Sequence, residues 1–224
     1  MKIVLKVLLV AAIAALVYMC YQSILTPIKF KEVHDSRERV IVERLISIRD
    51  AQIGFKNING KYAGTFAELQ KFLAETKIPF IIKERELSDQ NLKDGLTEAK
   101  AVKIVQSGNK KEIDKYSLEG FRRDTNWVLA KDTLLRANFD VASINKVPGF
   151  EDNSFALDTA TLSSPSGYTV PVFECSVPYN VYLGDLDKQE LINLKDKTSK
   201  LNRFGGLRVG SITEINNNAG NWEF

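Results

Sequence analysis

From Val7 to Leu25 the chain carries 19 consecutive residues without a charge, and Lys6 is the only charge between Ile3 and Leu25. An apolar helix needs roughly 20 residues to cross the hydrocarbon core of a bilayer. The segment therefore predicts one membrane-spanning helix. The remainder of the chain has ordinary soluble composition, with 31 basic against 28 acidic residues and a net charge of +3 over the whole chain. The fold must join an apolar rod to a water-soluble body.

The run reads as a retained anchor. A cleaved signal ends in small residues, whereas Ala11, Ala12, Ala14 and Ala15 lie inside this run. Bulky Tyr18 and Met19 precede Cys20, which argues against a lipidated cysteine. Tyr18 and Tyr21 sit where aromatic rings favour the membrane–water interface. Lys2 and Lys6 favour a cytoplasmic N-terminus, and Lys29, Lys31, Arg37 and Arg39 oppose it. The short N-terminal tail decides for a soluble domain outside the cytoplasm.

Pro27 is expected to end the membrane helix, because the residue before a proline disfavours helix. A second helix is expected over about 30–57. Its charged first half, Lys31–Arg44, suits a solvated stalk. In its second half Ile41, Ile48 and Phe55 recur every seven residues, with Leu45 on the same face. That face packs either on its own domain or against a second copy. Asn57–Gly60 closes the helix. Thr65 and Glu68 have the spacing of a capping box and open a short amphipathic helix.

Further on, Ile78–Ile82 reads as a strand with Pro79 at an edge. Glu84–Asn109 is a charged excursion with a helix around 97–106. Short strands are expected from Trp127 through Leu135, at 155–162, at 168–177 and at 181–183. The turn Ser163–Gly167 joins two of them into a hairpin. Residues 185–203 are helical, and 207–212 form a last strand. The fold class is α+β: a transmembrane helix, a stalk helix, and an antiparallel sheet packed with helices. The boundaries are 1–27 for the anchor, 28–76 for the stalk and second helix, and 77–224 for the soluble domain.

The stretch Arg49-Asp50-Ala51-Gln52-Ile53-Gly54-Phe55-Lys56-Asn57-Ile58-Asn59-Gly60-Lys61-Tyr62-Ala63-Gly64-Thr65-Phe66-Ala67-Glu68-Leu69 resembles the end of the long helix in type IV pilins and type II secretion pseudopilins. Such proteins begin with a membrane helix that continues into a soluble domain. The prepilin cleavage motif is absent: position 5 is Leu, and the first glycine is Gly54. The segments Pro171–Cys175, Gly206–Ser211 and Asn218–Glu223 resemble parts of single-span membrane proteins of Bacteroidota bacteria. This second resemblance implies an inner-membrane protein of a diderm bacterium, in which the orientation read above makes the soluble domain periplasmic.

No catalytic, cofactor or metal constellation is expected. The single histidine, His34, lies in the stalk, so a Ser-His-Asp or Cys-His arrangement in the folded domain lacks its base. Zinc lacks its usual ligands. Cys175 is the only thiol outside the span, so the soluble domain has no internal disulfide. Asp185, Asp187 and Glu190 suit the start of a helix better than a calcium loop. Asp152 and Asp158 have no fixed geometry as an acid–base pair. Arg208 is misplaced for a phosphate loop. The balanced charge argues against nucleic acid.

The remaining candidates are partner contacts: Ile41, Leu45, Ile48 and Phe55 on the stalk, and Trp222 and Phe224 at the C-terminus. The expected partners are lipid around residues 3–25, and other envelope proteins or a second copy. These features give the expectation of a non-catalytic, membrane-anchored assembly subunit of an envelope complex. A periplasmic ligand-binding or sensor module is the alternative.

Overall fold

The computed structural model describes residues 2–163 and 167–223. One helix, α1, runs unbroken from Lys2 to Asn59 with Pro27 inside it. The expected break at Pro27 is not made. A proline costs an interior helix about 3 kcal/mol and one hydrogen bond. Here packing offsets that cost: Leu25, Thr26 and Pro27 are half-buried and Phe30 is buried against the domain. At about 1.5 Å per residue the helix is about 87 Å long.

The same packing removes the solvated stalk. From Leu25 onward α1 lies against the rest of the chain, while Ile3–Ile24 is exposed throughout. The soluble body begins where the apolar run ends. It is built around Ile41, Leu45, Ile48 and Ala51, all fully buried.

Gly60 takes a positive φ of 74° and ends α1. Helix α2 (Phe66–Glu75) comes next, with the Thr65 hydroxyl accepting from the Glu68 amide. The Glu68 carboxylate reaches back to the Gly64 amide at 3.0 Å, one residue before the usual capping-box position. Leu69, Phe72 and Leu73 form its buried face.

A long antiparallel ribbon, β1 (Lys77–Glu84) and β2 (Arg122–Leu129), leaves the body and pairs over eight residues. Between its strands lie α3 (Asp89–Lys93), α4 (Glu98–Ser107) and α5 (Lys110–Lys115). These helices bury Leu96, Ala101, Leu118 and Phe121 in a small core of their own. The expected helix around 97–106 is α4, capped by Thr97. Ribbon and helices thus form a side lobe.

After β2 the chain forms α6 (Ala130–Leu134), where a strand was expected. A Cβ at Gly54 would meet the end of the Leu134 side chain, so glycine there gives that side chain of α6 its place against α1. Strands β3 (Lys146–Val147) and β4 (Phe150–Ser154) form a short hairpin. A three-stranded antiparallel sheet then closes the body, in the order β5 (Ala156–Ser163), β6 (Thr169–Pro178), β7 (Gly206–Gly210). The expected hairpin is β5–β6; part of its turn lies outside the described residues. On β6, Phe173, Cys175 and Val177 alternate into the core.

Helices α7 (Tyr179–Leu183) and α8 (Lys188–Lys200) connect β6 to β7. The segment 181–183 was expected to be strand. It is helical because Tyr179, Tyr182 and Leu183, at helical spacing, all bury against the core. The architecture is α+β, with α1 as its central element.

Candidate functional site

Five of the six sequence-derived contact residues have a definite place. Ile41, Leu45 and Ile48 are fully exhausted by the protein's own core, which corrects their assignment as partner contacts. Phe55 is half-buried, edge-to-face with Phe72 at 5.1 Å. Trp222 is half-buried against the main core, and Glu223 beside it pairs with Arg49 at 2.6 Å. Phe224 lies outside the described residues. The heptad-like spacing was real, but a helix that is the spine of a domain shows the same period as one that faces a second copy.

The discarded acidic candidates also resolve. Asp187 caps α8 by accepting from the Glu190 amide at 3.0 Å. Asp185 accepts both terminal nitrogens of Arg37, at 2.5 and 2.8 Å. Asp152 and Asp158 are exposed on β4 and β5. Arg208 lies 3.4 Å from Glu174. Among the described residues no His, Cys, Asp or Glu cluster could hold a metal ion.

A polar cluster lies where α1 emerges from its apolar half. His34, Asp35, Arg37 and Glu38 of α1 meet Tyr179, Tyr182 and Asp185. Arg37 also donates to the Tyr182 carbonyl at 2.6 Å. The Tyr182 hydroxyl donates to Glu38 Oε1 at 2.9 Å. His34 sits between two carboxylates, with Nδ1 2.9 Å from Asp35 Oδ1 and Nε2 3.2 Å from Glu38 Oε1. Its ring lies between Phe30 and Tyr179, each centroid 6.3 Å away.

This packing sets the electrostatics. Glu38, and after it Asp35, raise the His34 pKa above its usual value, and burial opposes them. Burial and the neighbouring Glu38 push the Tyr182 phenol up. Arg37 holds the Asp185 carboxyl down. Burial pushes the Cys175 thiol far up, so it is an inert core residue. Chemically, the cluster can hold a proton on His34 and clamp α1 to α7. Sequence reasoning placed His34 on a solvated stalk and so missed it. The available signal was the i, i+4 spacing of His34 and Glu38.

Beside this cluster an open groove of about 430 Å³ runs between α1 and α8, from Pro27 to Asp35 on one wall and from Glu190 to Lys197 on the other. A second cleft of about 200 Å³ shares Leu194 and Lys197 with it and extends to Tyr179, Arg203 and Trp222.

No family model, curated protein or solved structure matches this chain. Among the described residues, one helix is long and apolar enough to cross a membrane.

Proposed function

We propose that this protein is a membrane-anchored, non-catalytic subunit of a bacterial envelope assembly, working through protein–protein contacts at the inner membrane. One observation carries the reading: a single helix is bare and apolar in one half and the spine of a folded domain in the other. Ile3–Ile24 exposes side chains such as Leu5 at 74% and Val10 at 66%. That length is about 33 Å, close to the hydrocarbon thickness of a bilayer. Such a helix ties the domain's position rigidly to the membrane, as a building block requires.

The resemblance around Arg49–Leu69 to pilins and pseudopilins agrees with this layout. Its residues have structural work in this chain: Gln52 bonds both the Ala63 amide and the Ala63 carbonyl, at 2.9 and 3.0 Å, and so ties the helix to the loop beyond it. The apolar half of α1 remains to meet lipid or neighbouring apolar helices, and the side lobe between β1 and β2 is the second candidate contact surface.

Mild cross-linking of the full chain in native membranes, followed by mass spectrometry, tests the proposal. A reproducible set of envelope proteins at fixed ratios is the expected result. Recovery of the chain alone, with its domain outside any larger particle, would overturn it.

A further inference from the structure

The lower end of the α1–α8 groove adjoins the membrane span. Pro27 is two residues beyond Leu25, about 3 Å along the helix, and lies inside the uncharged run, which continues to Ile28; Lys31 is about 9 Å beyond Leu25. The headgroup layer on each side of a bilayer is roughly 5–8 Å thick. On the membrane-anchored reading, on which this inference rests, the groove opens into that layer. The domain cannot stand further off, because its packing already reaches Leu25.

The lining has a specific composition. Phe30, which is 9% exposed, lines it with Pro27 and Leu194 as apolar surface. Lys31 and Lys197 supply two cations, Asp35 and Glu190 supply two carboxylates, and His34, beside Asp35, completes the polar lining. Among the described residues, Lys31, Lys197 and Glu190 enter no ion pair, so their charges are available to a ligand. Asp35 meets His34 through Oδ1. Exposed Ile28 at 55% and Ile192 at 57% lie beside these walls on α1 and α8.

We propose that this groove seats the headgroup of a phosphoethanolamine lipid. The phosphate meets Lys31 and Lys197, and the ammonium meets Asp35 and Glu190. The glycerol edge rests on Pro27, Phe30 and Leu194. Both signs of charge on the protein are needed to match both signs on the headgroup. A purely anionic lipid would leave the two carboxylates facing its phosphate. A choline headgroup has a methylated nitrogen that cannot donate hydrogen bonds to them. Occupancy would fix the domain's rotation about α1 relative to the membrane plane, which the span alone leaves free.

The test uses the full chain in phosphatidylcholine vesicles containing equal small fractions of phosphatidylethanolamine and phosphatidylglycerol. Lipids retained on protein ejected from the vesicles are counted by mass spectrometry. The expected result is one retained phosphatidylethanolamine, enriched about five- to tenfold over its bulk ratio, the effect of one or two charge-assisted contacts. Lys31→Glu with Lys197→Glu should abolish that enrichment. Glu190→Gln should lower it and admit phosphatidylglycerol. These side chains are on the surface, so an unchanged melting curve checks that the variants fold. Retention that tracks the bulk ratios overturns the proposal, as does equal retention of phosphatidylglycerol, or a lipid-free dimer that occludes Asn193 in the groove. A chain that fails to float with vesicles overturns the membrane-anchored reading as well. One that floats without enrichment overturns this inference alone.

Discussion

The two halves of α1 share one backbone and opposite surroundings. Ile3–Ile24 is apolar apart from Lys6 and a few polar residues and is exposed throughout, whereas Phe30–Ala51 is amphipathic and buries Ile41, Leu45 and Ile48 completely. A helix that is apolar on every face needs an apolar solvent, and one with an apolar stripe needs a single packed partner. The difference teaches that helix length alone does not define a unit here. The boundary between anchor and domain is a change of side-chain pattern inside one helix, and Pro27 does not mark it with a break.

Substitutions of equal chemistry in the two halves should therefore have unequal effects. Leu45→Ala opens a hole in a closed core, and buried leucine truncations cost about 2–5 kcal/mol. Leu9→Ala should leave the domain's stability unchanged within about 0.5 kcal/mol. Thermal melts of the two full-length variants in one detergent would measure this. Equal losses would mean that the apolar half packs on the domain, against the division drawn here.

Gln52→Leu sharpens the comparison from the polar side. The Gln52 amide is fully buried and satisfies both polar groups of the Ala63 backbone unit. Leucine would leave a buried N–H and C=O unpaired, at about 1–3 kcal/mol for each group. The expected loss is about 2–4 kcal/mol in the same melts, with α2 displaced from α1. A neutral result would mean that water reaches Ala63 and that this loop is not sealed.

A smaller effect should come from the clamp. Arg37 and Asp185 are partly exposed, and surface ion pairs contribute about 0.2–1 kcal/mol even with good geometry. Arg37→Ala also removes a donor to the Tyr182 carbonyl and a cation lying 5.1 Å over the Phe150 ring. A loss of about 1 kcal/mol is expected. Hydrogen exchange should show the opening at α7 first, because α7 is the element that Arg37 ties down.

Much of this fold was legible because local rules and tertiary packing agree. The Thr65 and Thr97 caps, the β5–β6 hairpin and the final strand lie where spacing and turn chemistry put them. The failures share a cause. Val181-Tyr182-Leu183 has strand propensity, yet three buried side chains at helical spacing outweigh it. Lys31–Arg44 reads as a solvated stalk because more than half of its residues are charged. Arg37, Glu38 and Arg44 spend those charges on Asp185, Tyr182 and the Ser143 carbonyl, partners 99 to 148 residues away in sequence. A single sequence carries no mark of such distant pairings, and the same blindness hid the groove, whose second wall is α8.

The least costly break concerns His34, where the sign can be worked out. Its folded pKa lies above the unfolded value near 6.5, chiefly through Glu38 and then Asp35. Its contribution to stability is thus fully present below that unfolded value and is lost as pH rises through the folded one. His34 is the chain's only histidine. The groups that face it are Asp35 and Glu38 from α1 and Tyr179 from α7, with Lys31, Glu190 and Lys197 on the adjoining groove walls. Denaturation midpoints should therefore fall as pH rises from below the unfolded value near 6.5 through the raised folded one. His34→Gln should flatten the profile, and Glu38→Gln should flatten it more than Asp35→Asn, since Glu38 holds the larger share of the shift. A slope that survives His34→Gln would place the titration elsewhere. A flatter profile in Asp35→Asn than in Glu38→Gln would mean that Asp35, on the Nδ1 side, holds the larger share of the interaction with the imidazolium.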